Sequence, residues 1–310
     1  MEIGFHIPDF YTHFRLNNIL IDTVNSNPEY FHDGLKISSV FGAFPGSVWN
    51  GGRFFGGYSK PQTIDAVIKT FNDKGIPLRF TFTNPMLEKE HLEDSYCNQI
   101  LRAADNGFNE AIVMSPLLED YIRENYPQYP LTSSTCKQIE SVDSLKEELK
   151  KDYKYVVLDY NLNNQFEELE KIDPADRERC EILVNAVCIA HCPRRGEHYR
   201  YIGKGQIEEW EYNKAHMNGQ PFQFKEWDCQ YRGGSIYDIP ERGNFISAEE
   251  IIEKYAPMGF KHFKLEGRHA QDINLLETYI YYMVKPEYRN MVRLSMLEQL
   301  TEGIAHFDRH

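Results

Sequence analysis

The 310-residue sequence predicts an α/β chain folded as a (β/α)8, TIM-like barrel, and three observations carry that prediction. Eight short apolar runs recur, each followed by polar or glycine-bearing residues and then a helical pattern. No internal repeat or low-complexity tract breaks the alternation. The stretch between the seventh and eighth runs, residues 193–246, far exceeds the usual barrel loop of about 2 to 6 residues. It is expected to be a cap inserted over the C-terminal mouth of a single domain spanning 1–310.

The predicted strands are EIGFHI (2–7), LKISSVFGAF (35–44), LRFTFT (78–83), EAIVMS (110–115), PLTSST (130–135), KYVVLDY (154–160), EILVNAV (181–187) and HFKLE (262–266). The fifth is polar, and a distorted or partly open barrel is the variant expected if it fails to pair. Helical patterns fall at 61–74, 88–106, 117–125, 138–151, 163–171 and 247–256. Ser59-Lys60-Pro61 supplies a cap and a first-turn proline, and Ser247 with Glu250 forms a capping-box pattern. In 271–284, Leu275, Leu276, Tyr279, Ile280 and Met283 share one face, which Pro286 ends.

Composition narrows the function classes. No run approaches the roughly 18 apolar residues of a membrane span, and Glu2 stands where an export signal needs bases, so a cytoplasmic location is expected. A formal charge of −13 argues against a broad nucleic-acid surface, because such binding neutralises phosphates. It leaves room for a local basic pocket around Arg194, Arg195, His198, Arg200 and Lys204. Without export, the six cysteines are expected as free thiols or metal ligands, not disulfides.

In a barrel, active groups gather where strands end. The mouth candidates are His6, Asn84, Ser115, Ser133 to Cys136, Asp159, Asn161, Asn185, Cys188, Glu266 and Arg268. The glycine doublets at 51–52 and 56–57 suit a lid, plain turns or an anion site.

Cys180 and Cys188 bracket an extended run and would stand roughly 26 Å apart, so one metal centre cannot hold both. Cys188 and Cys192 can meet across a turn, Cys229 can fold back from the excursion, and Cys136 or, alternatively, Cys97 can complete a set of four. Four thiolates suit an iron–sulfur cluster or zinc, and unliganded thiols are the third reading. His191 could join a Cys/His zinc set.

On strand 8, period-two alternation places Lys264 and Glu266 toward the axis and Phe263 and Leu265 toward the helices. Two readings are open there: a structural salt bridge closing strand 8 against strand 1 or 7, or a network of Lys264, Glu266 and Asp159 with Arg268 clamping a carboxylate or phosphate and Arg194 and Arg195 contributing substrate charge. A cofactor-independent isomerase, aldolase or hydrolase would use Glu266 and Asp159 as acid and base, or Lys264 as an amine. A noncatalytic or zinc-stabilised protein would use the arginines to hold an anionic partner. No GxSxG, HExxH or Ser/His/Asp arrangement supports classical protease chemistry.

The segment NAVCIAHC (185–192), Cys229 and the block GFKHFKLEGR (259–268) resemble the peptidase U32 family, including its relatives in ubiquinone and RNA hydroxylation. Asn84, the block at 109–116 and SSTC (133–136) are compatible with that resemblance over most of 1–285. It implies a barrel-like α/β fold and a [4Fe–4S] cluster held by Cys188, Cys192 and Cys229, in an oxygen-independent redox or hydroxylation protein acting on a small molecule or beside a related partner. The chain departs from the family's usual signature in its short CIAHC gap and in Gly196 following the second cysteine.

Overall fold

The computed structural model describes residues 2–216, 220–229, 231 and 235–302. Its eight strands are β1 (Ile3–Pro8), β2 (Leu35–Gly42), β3 (Leu78–Phe82), β4 (Glu110–Val113), β5 (Leu131–Ser133), β6 (Tyr155–Val157), β7 (Cys180–Leu183) and β8 (His262–Lys264). They are all parallel and close into a barrel in chain order, with His6 opposite Lys264 at the seam. The polar fifth run does pair, through Thr132 and Ser133, although with only three residues.

Helices α1 (Phe14–Ser26), α2 (Pro61–Asp73), α3 (Ser95–Ala104), α4 (Pro116–Asn125), α5 (Val142–Leu149), α6 (Arg195–Ala215), α7 (Asp272–Met283) and α8 (Arg289–Thr301) surround it. The predicted helix at 88–106 splits because the Asp94 carboxylate accepts the Cys97 amide and restarts the helix there. That at 138–151 starts only at Val142, after Gln138 turns at φ +56°. At 163–171 only Phe166–Leu169 is helical, after Asn164 at φ +64°. Lys60, not Ser59, is the residue before Pro61 at the start of α2. The Ser247–Glu250 capping box forms, and its helix runs on into a wide turn over Ile251–Tyr255.

Alternation along the strands sorts two environments. Phe5 and Phe263 face outward, in ring contact with each other and, through Phe5, with Tyr282 of α7. Facing the lumen is a group of buried polar and charged side chains. Arg79 lies on the axis, donating to Glu181 at 2.5 Å and Thr132 at 2.9 Å and pairing with Glu110 at 3.2 Å. Lys264 approaches the other oxygen of Glu181 at 3.2 Å and lies over the Phe41 ring at 4.0 Å. His6 bridges Ser39 (2.7 Å) and His262 (3.2 Å). Burial would raise the Glu181 carboxyl, but Arg79 and Lys264 hold it well below the usual carboxylate range. Two cations thus share the lumen with two carboxylates, and contacts between β3, β7 and β8 lock the barrel across its width.

Removing one partner of such a group strands buried charge, whereas replacing both does not. Glu181→Ala is expected to cost about 3–5 kcal/mol in urea unfolding, and the double replacement Arg79→Met/Glu181→Leu to cost less than either single one.

Candidate active site at the barrel mouth

Beyond Leu183 the backbone leaves the ladder and the Asn185 side chain takes over. Its Oδ1 accepts the Glu266 amide at 2.6 Å and its Nδ2 donates to the Glu266 carbonyl at 3.0 Å. This fixes the Glu266 carboxylate at the mouth, where it accepts the Val187 amide at 2.9 Å and pairs with Arg53. Arg53 belongs to the glycine-rich loop after β2, and sequence reasoning missed it because a lone arginine among glycines and aromatics carries no motif. Two residues beyond Glu266, the Arg268 guanidinium donates to Asn50 Oδ1 (3.1 Å), Thr81 Oγ1 (2.8 Å) and the Gly51 carbonyl (2.6 Å). All three acceptors are neutral, and among the described residues no carboxylate is within ion-pair distance of it. Burial, with Arg53 nearby, lowers Arg268 to about 10.

The expected network of Lys264, Glu266 and Asp159 does not form. Lys264 pairs with Glu181 inside the lumen, Glu266 with Arg53, and Asp159 with Arg195 at 2.7 Å. The reason is depth: Lys264 is a strand residue one inward step below Glu266, and the excursion delivers Arg195 to Asp159 first. Arg195 is buried, also donates to the Thr135 carbonyl at 3.0 Å, and lies 3.9 Å from the centre of the Tyr160 ring. Arg194, beside it, points outward to the Asp228 carbonyl (3.1 Å) and the Trp227 ring (4.3 Å).

The thiols divide by position. Cys180 is buried at the start of β7, at the opposite end of the barrel, where burial pushes it up to about 12. Cys97 is buried on α3 against Ser47 Oγ at 3.2 Å, enclosed in the core away from the thiols of the seventh strand's exit. Cys136 borders the same glycine, Gly52, as Arg268, and its thiol and that of Cys188 both lie within the electrostatic reach of Arg53. Burial pushes Cys188 up to about 11, the Tyr160 hydroxyl opposes this, and neighbouring Cys192 and Glu266 add to it. The Tyr160 hydroxyl is buried and has no hydrogen-bond partner of good geometry. Cys192 ends the turn, its carbonyl accepting the first amide of α6, and His191 before it adopts φ +52° with its amide on Asn161 Oδ1. Cys229 follows Asp228 and so lies near the same end of α6.

These donors fit an iron–sulfur cluster or zinc in chemistry: soft thiols in a mouth that also holds the Arg53, Arg195 and Arg268 guanidiniums. Their present spacing is not a closed set, because among the described residues no three His, Cys, Asp or Glu side chains are poised round one ion.

The fold and this mouth define a closed (β/α)8 barrel with distant similarity to U32 peptidases. The U32 peptidase Mk0906 superposes with a TM-score of 0.52 at 17% identity, covering 87% of this chain and 95% of that one, which is a likeness of fold. An uncharacterized protease of Methanocaldococcus jannaschii is 27% identical over 131 residues, and the match spans 39% of this chain and only 38% of that relative. An uncharacterized TIM-barrel protein of Bordetella bronchiseptica, at 12% identity and a TM-score of 0.29 over 59% of this chain and 85% of its own, adds no argument. No family model matches the chain. Among the described residues no helix is long and apolar enough to cross a membrane.

Lys264 yields a test of the lumen next to this site. Burial lowers it to about 8, with Glu181 opposing and Arg79 adding. The unfolded lysine holds its proton up to about 10.5, so the unfolded state binds more protons between those values and stability must rise with pH there. Relative to Lys264→Met, the wild-type chain is expected to gain up to about 3 kcal/mol between pH 8 and 10.5, measured by urea unfolding across that range.

Proposed function

We propose that the chain is a U32-like redox or oxygen-independent hydroxylation protein whose mouth takes up a [4Fe–4S] cluster on Cys188 and Cys192, with Cys136 and Cys229 as the remaining thiols. The observation that carries this reading is the meeting of Cys188 and Cys192 in a mouth that also holds Arg53, Arg195 and Arg268. A four-thiolate cluster carries net negative charge, and Arg268, whose hydrogen bonds go to neutral acceptors, is a cation placed to interact with it. When bound, such a group supplies one-electron chemistry.

The chain's own residues set the surroundings. Arg268 and Arg53 present partly buried guanidiniums that can orient a carboxylate or phosphate of a small substrate. Asp159 holds Arg195 against Tyr160 at one side of the mouth. Glu266, already bonded to Arg53 and Val187, positions the arginine better than it could serve as a free base. The aldolase reading needs an open amine, and Lys264 is engaged by Glu181.

Anaerobic purification and reconstitution, followed by absorption spectroscopy and iron and sulfide analysis, tests the reading. About four iron and four sulfide per chain are expected. Cys188→Ser and Cys192→Ser should each abolish uptake, and Cys97→Ser should retain it. A colourless, iron-free protein, or stoichiometric zinc in place of iron, would overturn it.

A further inference from the structure

Helix α6 carries two glycines in its middle, Gly203 and Gly205, where helix propensity favours alanine. Close approach explains both. A Cβ on Gly203 would stand 2.3 Å from Asn84 Oδ1, and one on Gly205 would stand 2.1 Å from the Phe224 ring. Phe224 belongs to the strap at 220–229, five residues before Cys229, and it stacks on Phe54 at 4.0 Å and 12°. Phe54 follows Arg53 on the glycine-rich loop. One turn of α6 grips that loop as well: Gln206 Oε1 accepts the Phe55 amide at 3.1 Å, and Glu209 Oε1 accepts the Gly57 amide at 2.7 Å.

The loop that brings an arginine to the mouth and the strap that brings a thiol therefore hang on one stretch of helix and touch through Phe54, which stacks on Phe224 and also meets the Phe222 ring at 6.2 Å. We propose that Gly205, Phe224 and Phe54 are positioning residues that couple the two, so that Arg53 and Cys229 approach or leave the mouth together. What Cys229 is positioned for rests on the cluster reading above; the mechanical coupling does not. Gly205 supplies the notch, Phe224 fills it, and Phe54 passes the strap's position to the loop. A lid built this way would admit substrate charge and seat the last thiol in the same motion.

Limited trypsin digestion of the full chain reads both segments, because the bond after Lys225 lies in the strap and the bond after Arg53 in the loop. Gly205→Leu closes the notch without altering either cleavage sequence and is expected to raise both cleavage rates about tenfold while the barrel's thermal transition persists. Phe54→Ala should free the bond after Lys225, and Phe224→Ala the bond after Arg53, by a similar factor. These two variants insert nothing into α6 and carry the test if Gly205→Leu does not fold. Phe224→Ala that leaves the Arg53 bond at its wild-type rate, or Gly205→Leu that folds with both bonds protected, would overturn the coupling. Iron uptake is measured on the same proteins. A wild-type chain without iron sinks the cluster reading but leaves the cleavage comparison standing, whereas full iron in Phe224→Ala alongside unchanged cleavage sinks the positioning role.

Discussion

The ion pair between Arg79 and Glu181 on the barrel axis is the interaction on which the rest of the structure depends. It joins strands on opposite sides of the lumen, and Glu110, Lys264, Thr132 and the His6–His262 pair are arranged around it. An apolar lumen would pack as well and cost less desolvation. What the charged one provides is a register: each partner has one place where its bonds are met, so β3, β7 and β8 are fixed in height relative to one another. That height decides which inward residue reaches the mouth. Lys264 stays below, and Glu266 and Arg268 emerge above it.

At the mouth the same electrostatics act on a less closed set of groups. Arg195 and Asp159 neutralise each other, Arg53 and Glu266 do likewise, and Arg268 is left with neutral acceptors only. Thiols in such a place would be easier to ionise were they not partly buried, and burial is the stronger effect at Cys188. An anionic occupant would relieve both conditions, replacing thiols by bound thiolates and giving Arg268 a counter-charge.

Much of the fold was legible in the sequence because barrel strands are read from local apolar runs. Even the polar PLTSST run paired, since Thr132 is needed inside a polar lumen. The lumen itself was not legible: Arg79 and Glu181 are alternate residues of short strands, and nothing local shows that they meet across the axis. Helix α6 escaped notice for a related reason. It is gripped on several sides, by Asn84, Phe224 and the glycine-rich loop, so its sequence has no single apolar stripe. At the site, the inward direction of Lys264 followed from strand periodicity, and the mouth positions of Cys188, Glu266 and Arg268 from where the strands end. The pairing pattern did not, because it depended on Arg53 and Arg195, which arrive from loops.

The proposed cluster requires the mouth thiols to gather round one iron–sulfur group. A crystal structure of the anaerobically reconstituted protein, with anomalous scattering recorded at the iron edge, tests it most directly. The account predicts an iron peak bonded to Cys188 and Cys192, with Cys136 and Cys229 drawn toward it and Arg268 alongside. Iron bound elsewhere, or a fully reconstituted crystal with four unliganded thiols at the mouth, would contradict it.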